Sequence, residues 1–496
     1  MAANDEHKPL HILFFPHIAP GHLIPVAHMA ALFASRGVKC TILTTPANAA
    51  VIRPAIDRPN ANHAVRGVDA PAIDISVVPF PDVGLPPGVE SVVGITSEAE
   101  IGKVLEALHR LREPFDRFLA ERRPDAVVAD SFFAWSADAA AEHGVPRLAF
   151  LGSSMLARAC NESLLRNNPF ESAPDDPGAA VTLPGLPHRV ALRRSQVMDP
   201  RKNEGEWSYY ELMNAADQRS YGEVFNSFAE LEPGYVDHYR ATLGRRVWPV
   251  GPVALASKDT AAARGGAGAG GLSPDADKCL RWLDEKPRRS VVYVCFGTLT
   301  HFSEAELREL ARGLQLSGRN FLWVMSGEDT GDASPWMPDG FAELIALGER
   351  GLVFRGWAPQ MLILNHSAVG GFVTHCGWNS VLEAVMAGVP LVTWPRYADQ
   401  FYNEKLIVEV LKVGVGVGAE EYASKLEVRR QVIGSEMIAK AIGEVMGDDE
   451  ESKTVRKRAK ELSGMAQRAM EKGGSSYDSV GQLIDELMAR RGSVNV

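Results

Sequence analysis

Between Trp357 and Gln400 the chain reads WAPQMLILNHSAVGGFVTHCGWNSVLEAVMAGVPLVTWPRYADQ. The strand-like GGFVTH stops at His375, and Gly377, Trp378, Asn379 and Ser380 then open a helix running toward Ala387 and Gly388. A helix start exposes unpaired N–H groups and the positive dipole end, which suits a diphosphate. A Trp offers a π-face to a pyrimidine, and an adjacent Asp and Gln at a strand end, Asp399 and Gln400, can take several sugar hydroxyls. Upstream, His22 in PGHLIP and Asp130 at the end of VVAD offer proton chemistry. A neutral imidazole accepts a proton near neutral pH, and a carboxylate on its other nitrogen fixes the tautomer and stabilises the imidazolium. Each residue also has an ordinary structural use. Trp357, Trp378 and Trp394 suit a core, His375 could be a satisfied core histidine, Glu383 a solvated helix residue, and Asp130 an N-cap for the helix beginning SFFAWSADAA. Their combination at these spacings is what favours a site.

The block from Trp357 to Gln400 resembles the signature box of plant secondary-product UDP-glycosyltransferases, and the family's order of features runs from near residue 10 to the C-terminus. The resemblance implies an α/β chain of GT-B class, with two Rossmann-like, doubly wound parallel-sheet domains facing a central cleft. By resemblance, Trp357 stacks on uracil, Gln360 and the backbone around Ala358 reach base and ribose, and Glu383 takes the ribose hydroxyls. His375, Gly377, Asn379 and Ser380 would serve the diphosphate, with Thr298 adding a phosphate contact. Trp378, Asp399 and Gln400 would hold the sugar, a terminal Gln going with glucose more often than galactose. His22 matches the family's catalytic base and Asp130 its acidic partner.

The implied reaction is metal-independent direct displacement that turns an α-linked donor into a β-glucoside, with UDP-glucose as donor substrate and no cofactor. No DxD-type carboxylate cluster flanks the donor block, and helix ends with a histidine can replace a divalent ion. Acceptor candidates are Phe15, His17, Phe132, Phe133, Ser153, Met155, Met198, Met213 and Tyr397, an aromatic and Met-rich set suited to a flat or greasy aglycone. For each of these, core packing is the competing explanation. The opening FFPHIAPGHLIPVAHMAALFASRGVKCTILTTPANA looks most like the branch that glucosylates flavonoids, coumarins and triterpenoid or steroid aglycones. UDP-galactose, UDP-xylose or UDP-glucuronate as donor, or a silent sugar-nucleotide sensor, are the alternatives.

The elements that must position these groups follow from the apolar pattern. LHILFFP from Leu10, a loop PHIAPGH, a helix to about Arg36 and KCTILTT from Lys39 make a βαβ opening. DAVVAD and RLAFLG are further strands. A second series starts at SVVYVCFGT, continues through a helix with Ser303 as N-cap and Glu306 three residues on, and then through NFLWVMS, GLVFRG and PLVTWP. The stretch from Ala254 to Gly271 is low in large apolar residues, which predicts a linker. Gly266, Gly268 and Gly271 there fit GxGxxG by letter only, since no strand precedes them and no acidic ribose partner follows, which disfavours a nicotinamide oxidoreductase. The expected division is 1–250 for the acceptor domain, 251–273 linker, 274–470 donor domain, and 471–496 a C-terminal helix returning to the first domain.

With 496 residues, 46% hydrophobic composition and a net charge of −10, the chain can bury two large cores and carries no basic stripe for nucleic acid or anionic membrane. The KTVRKRAKEL run reads as a solvated helix face. MAANDEHKPL lacks a signal-peptide core and no run is long enough to span a membrane, so a cytoplasmic protein is expected, and it is expected to be a monomer. Five scattered cysteines without CxxC spacing predict reduced thiols and no metal site, and the Asn161 sequon should stay unused.

Overall fold

Short runs of β-branched and aromatic residues, apolar on both faces, form two parallel sheets covered by helices. A computed structural model describes residues 8–66, 71–93, 95, 97–256, 274–325, 336–356, 358–423 and 431–494. Trp357 lies outside the described residues, as do most of the expected linker and its Gly266, Gly268 and Gly271. The chain divides into two units, one of Met1–Met155, Glu204–Lys258 and Arg468–Val496, the other of Leu156–Asn203 and Asp259–Gln467. This differs from the expected boundary at 250, because the segment Leu156–Asn203 belongs with the second unit. A compositional break marks where packing residues run out, and it cannot show where a well-packed segment docks.

The strands are β1 (His11–Phe15), β2 (Lys39–Thr44), β3 (Asp74–Val77), β4 (Ala126–Asp130), β5 (Arg147–Phe150), β6 (Ala180–Leu183), β7 (Val190–Arg193), β8 (Gly222–Phe225), β9 (Val247–Pro249), β10 (Val291–Cys295), β11 (Asn320–Met325), β12 (Gly351–Arg355), β13 (Val369–Thr374), β14 (Leu391–Thr393) and β15 (Gly414–Gly416). The first unit holds a seven-stranded sheet in the order β3-β2-β1-β4-β5-β8-β9. The second holds a six-stranded sheet, β12-β11-β10-β13-β14-β15, and the β6-β7 hairpin. Each large sheet reverses its winding once, between β1 and β4 and between β10 and β13, which is where open α/β sheets leave a crevice at the carboxyl ends of the strands.

The alternation of β1 sorts its side chains between two cores. Ile12 and Phe14 enter the core that also holds Leu23, Val26 and Trp248, while Leu13 and Phe15 enter the opposite one with Phe115 and Phe133. Val480, Leu483 and Leu487, a stripe on the helix Ser475–Val494, complete the first of these cores. Arg36 fastens that helix by donating to the Tyr477 carbonyl at 3.0 Å while lying over the Tyr477 ring.

Local signals fix several boundaries. Ser303 and Glu306 form a reciprocal capping box at the helix Glu304–Leu316, and Gly388 closes the helix Trp378–Ala387 in the left-handed conformation. Two expected boundaries shift. The helix after β1 begins at Pro20, whose fixed φ suits a first helical position, so His22 stands inside the first turn and not in a loop before it. After β4 the chain makes a turn before the helix Ser136–Glu142, so the Asp130 carboxylate caps that turn by accepting from the Phe132 N–H at 3.0 Å.

Candidate active site

In the first unit, β1 and β4 pair in parallel with Phe15 opposite Ala129. The helix start after β1 and the last residue of β4 therefore lie side by side. His22 Nδ1 meets Asp130 Oδ2 at 2.6 Å, with the two side chains 20% and 0% exposed. An imidazole that donates from Nδ1 to a carboxylate carries its basic lone pair on Nε2. Burial pushes the Asp130 carboxyl up, but the charge and hydrogen bond of His22, together with His17 and the Phe132 N–H, hold it below its ordinary value. Gly152 follows β5 at φ +73°, and a Cβ there would stand 3.4 Å from His22 Nδ1. Glycine thus satisfies a backbone turn that packs against the imidazole.

Aromatic rings frame this pair. His17 lies 5.2 Å from His22 and 4.8 Å from Phe132, centroid to centroid. Its Nδ1 is buried without a hydrogen-bond partner, and burial, then the charge of His22, lowers its pKa to about 4, so the ring is neutral. Tyr209 donates to the Phe132 carbonyl at 2.6 Å and steadies the turn that carries Asp130. Burial and then the negative charge of Asp130 raise the Tyr209 phenol to about 12, which keeps it a donor. Ser153 is buried beside Gly152. Phe15 and Phe133 stack at 4.3 Å within the core beneath, and Met155 and Met213 are also buried. Met198 is buried in the second unit. The structure thus gathers His17, His22, Phe132 and Asp130 at the carboxyl ends of β1 and β4, while Phe15 and Phe133 pack behind them.

In the second unit the loops after β10 and β13 meet across the switch point. A Cβ on Gly297 would lie 2.9 Å from the His375 ring, and one on Gly377 would lie 2.5 Å from it, so two glycines make the slot that holds this imidazole. Desolvation, with the charge on Arg396, lowers His375 to about 4. It is a neutral hydrogen-bonding group at neutral pH. The helix Trp378–Ala387 begins beside it with Gly377 as N-cap, and no side chain occupies the cap. Thr298 is exposed on the facing loop.

Gln360 opens its own short helix and donates from Nε2 to Glu383 Oε2 at 2.5 Å and to Ser380 Oγ at 3.2 Å. Tyr293 donates to Gln360 Oε1 at 3.1 Å, so strand β10 supports this group from behind. Ala358 is buried, Asn379 and Glu383 are half-buried, and Trp378 is buried. Asp399 Oδ2 accepts from Asn403 Nδ2 at 3.0 Å, and the same amide donates to the Cys376 carbonyl at 2.9 Å. Gln400 Oε1 accepts from the backbone N–H groups of Arg396 and Tyr397 at 2.8 and 3.1 Å, which leaves its amide N–H₂ for other partners. Cys376 and Ala398, neither of them glycine, take positive φ of 66° and 53° in these loops, a conformation common at binding sites. Among the described residues, no group of three or more His, Cys, Asp or Glu is placed to hold a metal ion, the five cysteines are free, and no helix is long and apolar enough to cross a membrane.

Known proteins resemble this chain in sequence and fold. Residues 217–455 match the family described as UDP-glucoronosyl and UDP-glucosyl transferase. The chain is 44% identical over 486 residues to the scopoletin glucosyltransferase of Nicotiana tabacum, covering 96% of this chain and 98% of that one. It is 43% identical over 487 residues to the anthocyanin 3'-O-beta-glucosyltransferase of Gentiana triflora, covering 96% and 98%. A Glycyrrhiza uralensis UGT crystallised with glycyrrhetinic acid 3-O-monoglucuronide superposes with a TM-score of 0.89 at 40% identity, covering 98% of each chain. A Medicago truncatula UGT complexed with UDP-glucose gives 0.75 at 29% identity, covering 97% of this chain and 98% of that one. The chain belongs to the plant family 1 UDP-glycosyltransferases and has their GT-B fold.

Proposed function

We propose that the protein transfers glucose from UDP-glucose to a hydroxyl of a small lipophilic plant metabolite, giving a β-glucoside and UDP. The observation that carries this is the 2.6 Å His22–Asp130 pair at the first sheet's switch point, in a family member whose relatives include glucosyltransferases. His22 Nε2 takes the acceptor proton as the acceptor oxygen attacks C1, the bond from C1 to the diphosphate breaks, and Asp130 stabilises the imidazolium. UDP departs onto His375, Thr298 and the N–H groups opening the helix Trp378–Ala387. Trp357, Ala358, Gln360 and Glu383 hold base and ribose, and Trp378, Asp399 and Gln400 hold the sugar, with no metal required. His17, Phe132, Ser153 and Tyr397 face the acceptor, while Phe15, Phe133, Met155, Met198 and Met213 shape the layer behind. The protein acts as a monomer in the cytoplasm.

Purified protein incubated with UDP-glucose, EDTA and a panel of phenolic, flavonoid and triterpenoid acceptors, followed by mass spectrometry, tests this. A product heavier by one hexose is expected. Transfer from UDP-galactose, UDP-xylose or UDP-glucuronate but not from UDP-glucose would overturn the donor assignment. UDP binding without transfer from any donor would mark a silent binding protein.

A further inference from the structure

Behind the loop that carries Asp399 and Gln400 lies a buried ion pair whose arginine also helps to keep His375 neutral. Arg396 Nη1 meets Glu306 Oε1 at 2.6 Å, with the side chains 3% and 4% exposed. Arg396 Nη2 donates to the His301 carbonyl at 3.2 Å, and its guanidinium lies 4.3 Å over the Phe302 ring. Phe302, Phe296 and Trp394 pack edge to face with centroids 4.6 to 5.6 Å apart. The loop after β10, the start of the helix Glu304–Leu316 and the loop after β14 are therefore one clamped unit.

Glu306 serves two ends. Its Oε2 accepts from the Ser303 N–H and hydroxyl, each at 2.9 Å, while Oε1 takes Arg396. The backbone of Arg396 is fixed as tightly as its side chain. Its N–H donates to Gln400 Oε1 at 2.8 Å, and its carbonyl accepts from the Ala423 N–H at 2.9 Å. Arg396 Nε is buried with no partner. Burying two charges and an unpaired donor is a poor source of stability, and such pairs serve better to fix one geometry.

We infer that Arg396 is a positioning residue for donor-sugar recognition: clamped by Glu306, it fixes the 396–397 backbone on which the Gln400 amide is locked, and so sets which sugar the loop accepts. This rests on the proposal that Asp399 and Gln400 hold the sugar. An amide whose oxygen is spoken for presents only N–H donors, in one orientation, to the sugar hydroxyls. Loss of the clamp frees that amide to rotate.

The test compares Arg396→Met with the double variant Glu306→Gln/Arg396→Met, which removes both charges while the Gln oxygen can still cap Ser303. KM for UDP-glucose, the kcat/KM ratio of UDP-glucose to UDP-galactose, and Kd for UDP by calorimetry are measured on variants with a cooperative melting transition. The double variant guards against a single variant that fails to fold around an orphaned Glu306. The KM for UDP-glucose should rise on the order of tenfold and the sugar ratio should move toward unity, with Kd for UDP changed less than about twofold. Arg396→Lys should show the same shift, since an ammonium cannot reproduce the planar, two-armed grip on Glu306 and His301. An unchanged sugar ratio in the folded double variant would overturn the inference. So would an equal loss of UDP affinity, which would mean that Arg396 acts on the diphosphate. Gln400→His, measured in parallel, separates the levels. If it shifts the sugar ratio and the Arg396 variants do not, the inference fails while the sugar-site proposal stands. If it leaves the ratio unchanged, the sugar-site proposal itself falls.

Discussion

Asp130 is fully buried and its carboxylate is spent on two groups, the His22 ring and the Phe132 N–H. Asp130→Asn keeps the shape but offers His22 an amide that no longer selects the tautomer or stabilises an imidazolium. We expect kcat to fall about 10²- to 10⁴-fold with donor KM little changed, and steady-state kinetics with full activity in that variant would remove Asp130 from the mechanism. Three histidines also give the fold a pH response. His11, His17 and His375 are each lowered to about 4, chiefly by burial, whereas unfolded histidine titrates near 6.5. Between those values the unfolded chain binds more protons than the folded one, so stability is full above about pH 6.5 and falls as the pH drops toward 4. Calorimetric melting from pH 8 to 4.5 should show a level region and then a decline, and a flat profile would contradict the buried, neutral assignment. At this scale residue type and spacing made the box a candidate site, and the role expected of each residue in it came from the family resemblance. Arg396 could not be singled out in this way, because its partner Glu306 lies 90 positions away in sequence and only the fold brings them together.

The elements carry geometry that single residues lack. His22 and Asp130 are 108 positions apart, yet the parallel pairing of β1 with β4 puts a helix start and a strand end side by side at the carboxyl ends of the two strands. In the same way β10 and β13 bring Gly297 and Gly377 to either side of His375. Gly297 has φ +73°, and an added Cβ would meet the imidazole at 2.9 Å, so Gly297→Ala strains the turn and displaces the ring together. We expect Kd for UDP to weaken about tenfold or more, and calorimetry showing an unchanged value would mean that His375 does not contact the diphosphate. The capping box at Ser303 and the closing Gly388 were legible because they are local, stereochemical signals. The acceptor set was less so. Phe15 and Phe133 share the apolar character of Phe132, and with both faces of the sheet buried, alternation does not say which ring meets a ligand.

For the whole molecule, the doubly wound pattern was readable from strand-helix alternation, and the two observed sheets follow it. The course of Leu156–Asn203 was not, since docking depends on packing surfaces that sequence period does not reveal. The central claim is testable because the proposed base, His22, lies in the first unit and the residues proposed for UDP and sugar lie in the second. The most direct measurement is calorimetric titration of His22→Ala with UDP, paired with a turnover assay on an acceptor the parent enzyme glucosylates. The account predicts that transfer is lost, by about 10²-fold or more, while Kd for UDP stays within about twofold of the parent. Retained turnover, or UDP affinity lost together with turnover, would contradict it.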